Sequence, residues 1–338
     1  MRLSRKQLLA GGAAAGAYAS IGFLRWPGEA AQFSYKLAND QTITHPMNVY
    51  TAEAVKRIQD ATNGQVEIRV FANSALGSDP QMISQARSGA LEFLQVGNNI
   101  LGSVIPSASL LGVPFAFSGY KQMVASANGP LGAYIAGAAD KVGLRKFAGT
   151  FYGGTFQTQN RVRPINVPAD LKGLKIRVPP GPLDVATFQA FDASPTVITI
   201  ADVYVSLQTH LVDGIEVPLP TVQNFKFYEQ LKYCCMTNHS YITYFTFANA
   251  ETWQHISKDL RDIIDREFTA SSNTATASMG EQEVTIESTL RNEGMVFNRP
   301  SVDPFRQIIR GSGLYGQWRD RYDPKGWDAL EKTTGKLV

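Results

Sequence analysis

Apolar and polar positions alternate over Phe33-Ser34-Tyr35-Lys36-Leu37-Ala38, the period of a strand with one face in a core. Beyond His45-Pro46 the spacing lengthens. Met47, Tyr50, Ala54, Val55 and Ile58 share one helix face, and Gly64 supplies the stop. Residues 66–71 return to a strand, Asp79-Pro80 caps a helix running to Gly89, and residues 91–96 read as a third strand. Strands separated by single helices predict parallel βαβ units. The order recurs as strand 174–178, helix 183–191, strand 196–200 and helix 203–211. The expected architecture is two α/β halves, each with its own sheet. Residues 257–293 break this rhythm: they carry no Pro, one Gly (Gly280) and an apolar stripe of Leu260, Ile263, Ile264 and Phe268. Glu287 and Arg291 add an i,i+4 pair of favourable order. The segment predicts one long helix, or two end to end, able to brace both halves. Short helices are expected from Val302 onward.

The first thirty residues have another pattern. A basic patch (Arg2, Arg5, Lys6) precedes an apolar Gly/Ala-rich stretch at 8–24, then Pro27 and Gly28-Glu29-Ala30-Ala31. That order predicts an export signal over residues 1–30, cleaved after Ala30 or Ala31. Retention as an uncleaved anchor is the competing reading, although a membrane span needs about 20 strongly apolar residues. Ser4-Arg5-Lys6-Gln7-Leu8-Leu9 resembles a twin-arginine signal with Lys6 in place of the second Arg. Either export route predicts a protein working in the periplasm.

Composition narrows the class. At 338 residues the chain exceeds what one core usually serves, so two domains are expected. With 44% apolar and 18% charged residues it is not a disordered chain. The formal charge of +3 is too small to argue for nucleic acid. Removal of the signal takes four of the 32 basic and one of the 29 acidic residues, which leaves the two signs equal. The apparent basicity therefore belongs to the export signal.

Most catalytic chemistry is unsupported. The four His, at 45, 210, 239 and 255, have no metal-ligand spacing, and no nucleophile elbow or Walker loop occurs. Neither a metal nor a cofactor is expected, and the chain does not read as an enzyme. An exported α/β enzyme acting on organic acids is the reading from another class, and it lacks a nucleophile–base pair. Gly311, Gly313 and Gly316 match G-x-G-x-x-G, but without a preceding strand they read as a loop. Cys234-Cys235 reads as two thiols on opposite strand faces, since neighbouring Cα atoms about 3.8 Å apart disfavour a disulfide. The strongest signal is Arg177, near the carboxyl end of a short apolar strand, where open α/β sheets place ligands. Its planar fork fits a carboxylate with two hydrogen bonds.

Asp170-Leu-Lys-Gly-Leu-Lys-Ile-Arg-Val-Pro179, the run from Asp202 to Glu216, Phe227-Tyr-Glu229 and Thr237-Asn-His239 carry a family resemblance. With His45-Pro46, Thr62-Asn-Gly64 and Leu110-Leu-Gly-Val-Pro-Phe115, the chain resembles the TRAP-transporter extracytoplasmic solute receptors of the DctP type from about Phe33 to Asn298. The resemblance implies a two-lobed α/β periplasmic-binding-protein fold with hinge strands and a long lobe-spanning helix. Lobe I would comprise 31–154 plus 243–282, and lobe II 155–242 plus 283–338, with the ligand cleft between them. It implies capture of an organic acid and delivery to TRAP membrane permease subunits, with monomer and homodimer both open.

By carry-over Arg177 is the carboxylate anchor. Where relatives have an Asn after Asp-Gly-x-Glu216, this chain has Val217, and where many have a second Arg it has Gln157. Those replacements favour a monocarboxylate with an aromatic or otherwise apolar body. Phe151, Tyr152, Phe156, Phe225, Tyr241 and Tyr244 fall on cleft-lining segments of relatives and are candidates to stack on it. The alternative is a 2-oxo acid with a cation held beside it by Gln157 and Glu216.

Overall fold

A computed structural model describes residues 31–337, and the expected export signal lies outside them. The chain opens with β1 (Phe33–Ala38), α1 (Pro46–Ala61), β2 (Val66–Phe71), α2 (Asp79–Ser88), β3 (Phe93–Gly97) and one-turn α3 (Asn98–Leu101). Helices α4 (Tyr120–Asn128) and α5 (Pro130–Asp140) lead into β4 (Leu144–Asn160). Then come β5 (Lys175–Val178), α6 (Pro182–Ala190), β6 (Ser194–Val197), α7 (Val203–Gln208), β7 (Gly214–Pro218), α8 (Leu219–Asn224) and β8 (Tyr233–Asn249). The remainder is α9 (Ala250–His255), α10 (Lys258–Asn292), β9 (Val296–Asn298), α11 (Asp303–Gly311), α12 (Leu314–Arg321) and α13 (Pro324–Thr334).

The first βαβ trio forms as the periodicity predicts, β1 pairing in parallel with β2 and β3; in the second half β5 pairs with the expected β6 and also with β7, a strand the periodicity did not mark. The expectation of two separate sheets is corrected. The described strands form one sheet, ordered β2-β1-β3-β8-β4-β7-β5-β6, with β9 on β8. The cause is the length of β4 and β8, 17 residues each and antiparallel to one another. β3 joins β8 at one end of this ribbon and β7 joins β4 at the other. At about 3.4 Å per residue each strand is long enough to cross both halves. The ribbon's register shifts between Lys146 and Thr150, Tyr152 and Gly154, and Phe156 and Thr158. Gly154 allows the second shift: its φ of 121° suits glycine, and a Cβ there would lie 2.6 Å from Pro218.

Helix α10 is continuous over 35 residues. Ile264 and Phe268 pack with Leu37 and Phe93 in one core, Ala275 and Met279 enter the central core, and Ile286 and Leu290 pack with Ile215 and Val217 in a third. One helix thus seals the same sheet at both ends, the brace expected of it.

Several boundaries move. β3 begins at Phe93 because Gly89, at φ 81°, ends α2 and a turn intervenes. The strand expected at 196–200 is Ser194–Val197, with Ile200 in a short 3-10 turn. α7 stops at Gln208, just before His210 takes φ 62°. The glycine motif expected as a loop is mostly helical: Gly311 ends α11, Gly313 turns the chain at φ 75° and Gly316 sits inside α12. Cys234 and Cys235 are free and buried. Cys234 packs in the Ile215 core, whereas Cys235 donates its Sγ–H to the Ile165 carbonyl at 3.0 Å.

Candidate ligand-binding site

A narrow cavity lies where the carboxyl ends of β1, β3, β5 and β7 converge. After β1, Asn39 bonds Asn48 and Gln95 through its side-chain amide at 2.7 and 3.1 Å. That locked turn presents Asp40 and Gln41 to the cavity. Asp79 enters as the first residue of α2, and Asn99 and Ile100 enter where β3 passes into α3. From the other half come Arg177 and Pro179 at the end of β5, and Val217, Pro218 and Thr221 at the β7–α8 junction. Phe156 of β4, Ile242 and Tyr244 of β8, and Ile200 complete the wall.

Arg177 is 3% exposed. Its Nε donates to the Ile198 carbonyl at 2.8 Å, which fixes the guanidinium plane and directs the terminal nitrogens elsewhere. It is the one cationic side chain among the described residues lining the cavity. Burial lowers its pKa to about 10, against the opposing pull of Glu216, Asp184, Asp40 and Asp79, so it stays charged at neutral pH.

The sequence model of the bacterial extracellular solute-binding proteins of family 7, DctP, matches residues 37–311. The chain belongs to the DctP family. It is 30% identical over 257 residues to the sialic acid-binding periplasmic protein SiaP of Vibrio cholerae, covering 75% of this chain and 78% of that one. It is 31% identical over 207 residues to the 2,3-diketo-L-gulonate-binding periplasmic protein YiaO of Escherichia coli, covering 61% and 63%. In fold it superposes on a TRAP periplasmic solute-binding protein from a Sulfitobacter species, solved with bound β-D-galacturonate. The TM-score is 0.85 at 23% identity, over 90% of this chain and all of that one. The protein is therefore a periplasmic solute-binding protein of the TRAP type and not an enzyme.

Of the receptor's expected site residues, Arg177, Phe156 and Val217 line the cavity, and Tyr244 joins them. Gln157 does not: it bonds Asn238 through both side-chain atoms, at 2.7 and 2.9 Å, beside a separate depression. Glu216 lies behind the cavity wall, 2.8 Å from His239. In the β4–β7 register Gln157 faces Val217 while Thr158 faces Glu216. Side chains alternate along strands, so Gln157 and Glu216 leave the sheet on opposite faces and do not converge on one cation. Tyr152 stacks on Tyr120 at 4.9 Å and donates to Glu283 at 2.7 Å. The bulge before Gly154 flips the alternation, which separates Tyr152 from Phe156 although four positions would otherwise keep them on one face. Tyr241 packs on Phe117, Phe225 stacks on Phe227, and Phe151 sits against His45 and Tyr244.

Sequence reasoning missed Asp40, Gln41, Asp79, Asn99 and Thr221. The rule that singled out Arg177 after β5 applies equally to Asp40, two residues past β1, and would have found it. Burial raises the acids: Asp40 to about 6, Glu216 to about 8, and Asp79 and Asp184 well above the usual range. It pushes His239 down to about 4, so the His239–Glu216 contact joins neutral groups near neutral pH. Thr237 completes this chain at 2.7 Å from His239 Nδ1.

Proposed function

We propose that the receptor captures a small monocarboxylate on Arg177 and that the rest of the ligand carries hydrogen-bond donors. The observation that carries this is the Arg177 guanidinium itself: buried, held through its Nε on the Ile198 carbonyl, and lining the cavity, so that its terminal nitrogens are left for a carboxylate. One cation suits one carboxylate, and a second carboxylate would meet Asp40 and Asp79 instead. Gln41 Oε1 and Asp79 Oδ1 are buried acceptors without a partner in the protein, and they line the same cavity. Buried polar atoms of this kind call for a donor. Phe156, Ile200, Val217 and Ile242 offer the carbon skeleton an apolar wall, but a wholly apolar body would leave both acceptors unpaired. The polar ligands in the names of SiaP and YiaO fit this reading.

The lining also supports the division into lobes at 31–154 plus 243–282 and 155–242 plus 283–338. Asp40, Gln41, Asp79, Asn99, Ile100 and Tyr244 belong to the first, and the other lining residues to the second. The cation-assisted 2-oxo acid reading loses its basis in the opposed directions of Gln157 and Glu216.

A thermal-shift and calorimetric screen of gluconate, galacturonate, 5-aminovalerate, phenylacetate, 2-oxobutyrate and succinate tests the proposal. The polar-bodied monocarboxylates should raise the melting temperature most. Arg177→Ala should abolish that shift. Arg177→Lys should weaken binding at least tenfold, because an ammonium cannot reproduce the paired fork. Undiminished affinity in Arg177→Ala would remove the anchor.

A further inference from the structure

At the part of the cavity built after β1 and at the start of α2 stand two carboxyls and an amide, with the Tyr244 hydroxyl beside them. Asp40 and Asp79 are 5% and 3% exposed, Gln41 is 2% exposed, and all three line the cavity. Gln41 turns its Nε2 onto Asp40 Oδ1 at 3.1 Å, which leaves its Oε1 unpartnered, and Asp79 Oδ1 has no partner either. Arg177 is the one countercharge among the described residues lining the cavity, and its pull on Asp40 and Asp79 does not offset their burial. No group of three or more His, Cys, Asp or Glu among the described residues suits a resident metal ion. A ligand carboxylate would take up the charge of Arg177, and further positive charge for this pair of acids would then have to arrive with the ligand.

We infer that the ligand is zwitterionic, an acid whose carboxylate sits on Arg177 and whose protonated amine, or a similar cationic nitrogen, sits between Asp40, Asp79 and Gln41. This rests on Arg177 being the carboxylate anchor and specifies the donor elsewhere on the ligand. An ammonium carries three donors and no lone pair, and Asp40, Asp79 Oδ1 and Gln41 Oε1 present three acceptor groups. A hydroxyl brings one donor, no charge, and lone pairs that would face carboxylate oxygens. The field points the same way. Burial holds Asp40 up to about 6 and Asp79 higher, with Asp40 adding to the load on Asp79, so this pair gains from a cation in a way a neutral hydroxyl cannot match.

The test compares ligands that differ in one group. Purified receptor is titrated with β-alanine, 4-aminobutyrate, 5-aminovalerate and 6-aminohexanoate, and with the ω-hydroxy acids of the same chain lengths. Glucosaminate against gluconate is the branched pair. At the chain length that fits, the amino acid should bind at least tenfold more tightly than its hydroxy partner. Asp79→Asn and Asp40→Asn, each checked by circular dichroism, should pull that ratio toward one. Equal or tighter binding of the hydroxy acid in every pair would overturn the inference and leave the Arg177 proposal standing. So would binding of gluconate or galacturonate with no amino acid bound. Failure of every acid in both panels would overturn the two together.

Discussion

His45 ties a helix start to the cavity wall through one ring. Its Nδ1 accepts the Met47 backbone N–H at 3.2 Å and so caps α1, while its edge packs against Phe151 and Tyr244. Burial lowers its pKa from 6.5 to about 3. Between those values the unfolded chain binds a proton that the folded chain does not. The contribution of His45 is therefore complete above pH 6.5 and is lost as pH falls toward 3. Protonation would also turn the capping acceptor into a donor facing a donor. His45→Asn keeps a capping side chain but removes the titration, so its melting temperature should fall less steeply than the parent's between pH 6.5 and 3.5. Parallel acid limbs would show that His45 does not control this range. At neutral pH the loss of the packed ring should cost roughly 1–3 kcal/mol, measured by urea unfolding. His45 was legible as the lead into a helix, but its cap depends on a side-chain direction that spacing does not reveal. Arg177 was legible because it lies near the carboxyl end of a short strand, where open α/β sheets place ligands. Asp40 and Asp79 looked like ordinary turn and helix-start residues, and only the fold brings them into one cavity with an arginine.

At the scale of elements, α10 was the easiest to read and the β4–β8 ribbon the hardest. A Pro-free segment with an apolar stripe needs only local periodicity. In β4 the side-chain period is reset at the bulge between Tyr152 and Gly154, and 12 consecutive residues from Gly149 are buried on both faces, so no alternation survives to be seen. The glycines are where this ribbon meets the site. A Cβ on Gly153 would lie 2.5 Å from the Tyr244 ring and 2.9 Å from Ile242, both lining residues. Gly153→Ala should destabilise the protein by about 1–3 kcal/mol through overpacking and should weaken ligand binding as well. Gly137 in α5 is the contrast, with nothing within 4 Å of where a Cβ would sit. Gly137→Ala should be neutral or stabilise by up to about 1 kcal/mol from helix propensity. Both values can be read from urea titrations, and equal effects would deny the close approach its role.

For the whole molecule, access is the central question, because nearly every residue lining the cavity is buried. A ligand can enter only if the β1–β3 half moves away from the β5–β7 half, with β4 and β8 the strands that connect them. Close to the cavity the two halves touch: Thr44 Oγ1 donates to Asn224 Oδ1 at 3.0 Å, three residues beyond Gln41 on one side and three beyond Thr221 on the other. This exposed contact must break whenever the halves part, and a single neutral hydrogen bond of about 1 kcal/mol is weak enough to allow it. Replacing both residues with cysteine should convert it into a lock. The native thiols do not interfere, since Cys234 and Cys235 are buried and burial raises both, Cys235 to about 12. Oxidised without ligand, Thr44→Cys/Asn224→Cys should bind the acids of the Arg177 screen at least tenfold more slowly than the parent. Oxidised after loading, it should retain ligand through dialysis. Dithiothreitol should restore parental rates in both cases, whereas unchanged association after verified disulfide formation would mean that the ligand enters without separating the halves at Thr44 and Asn224.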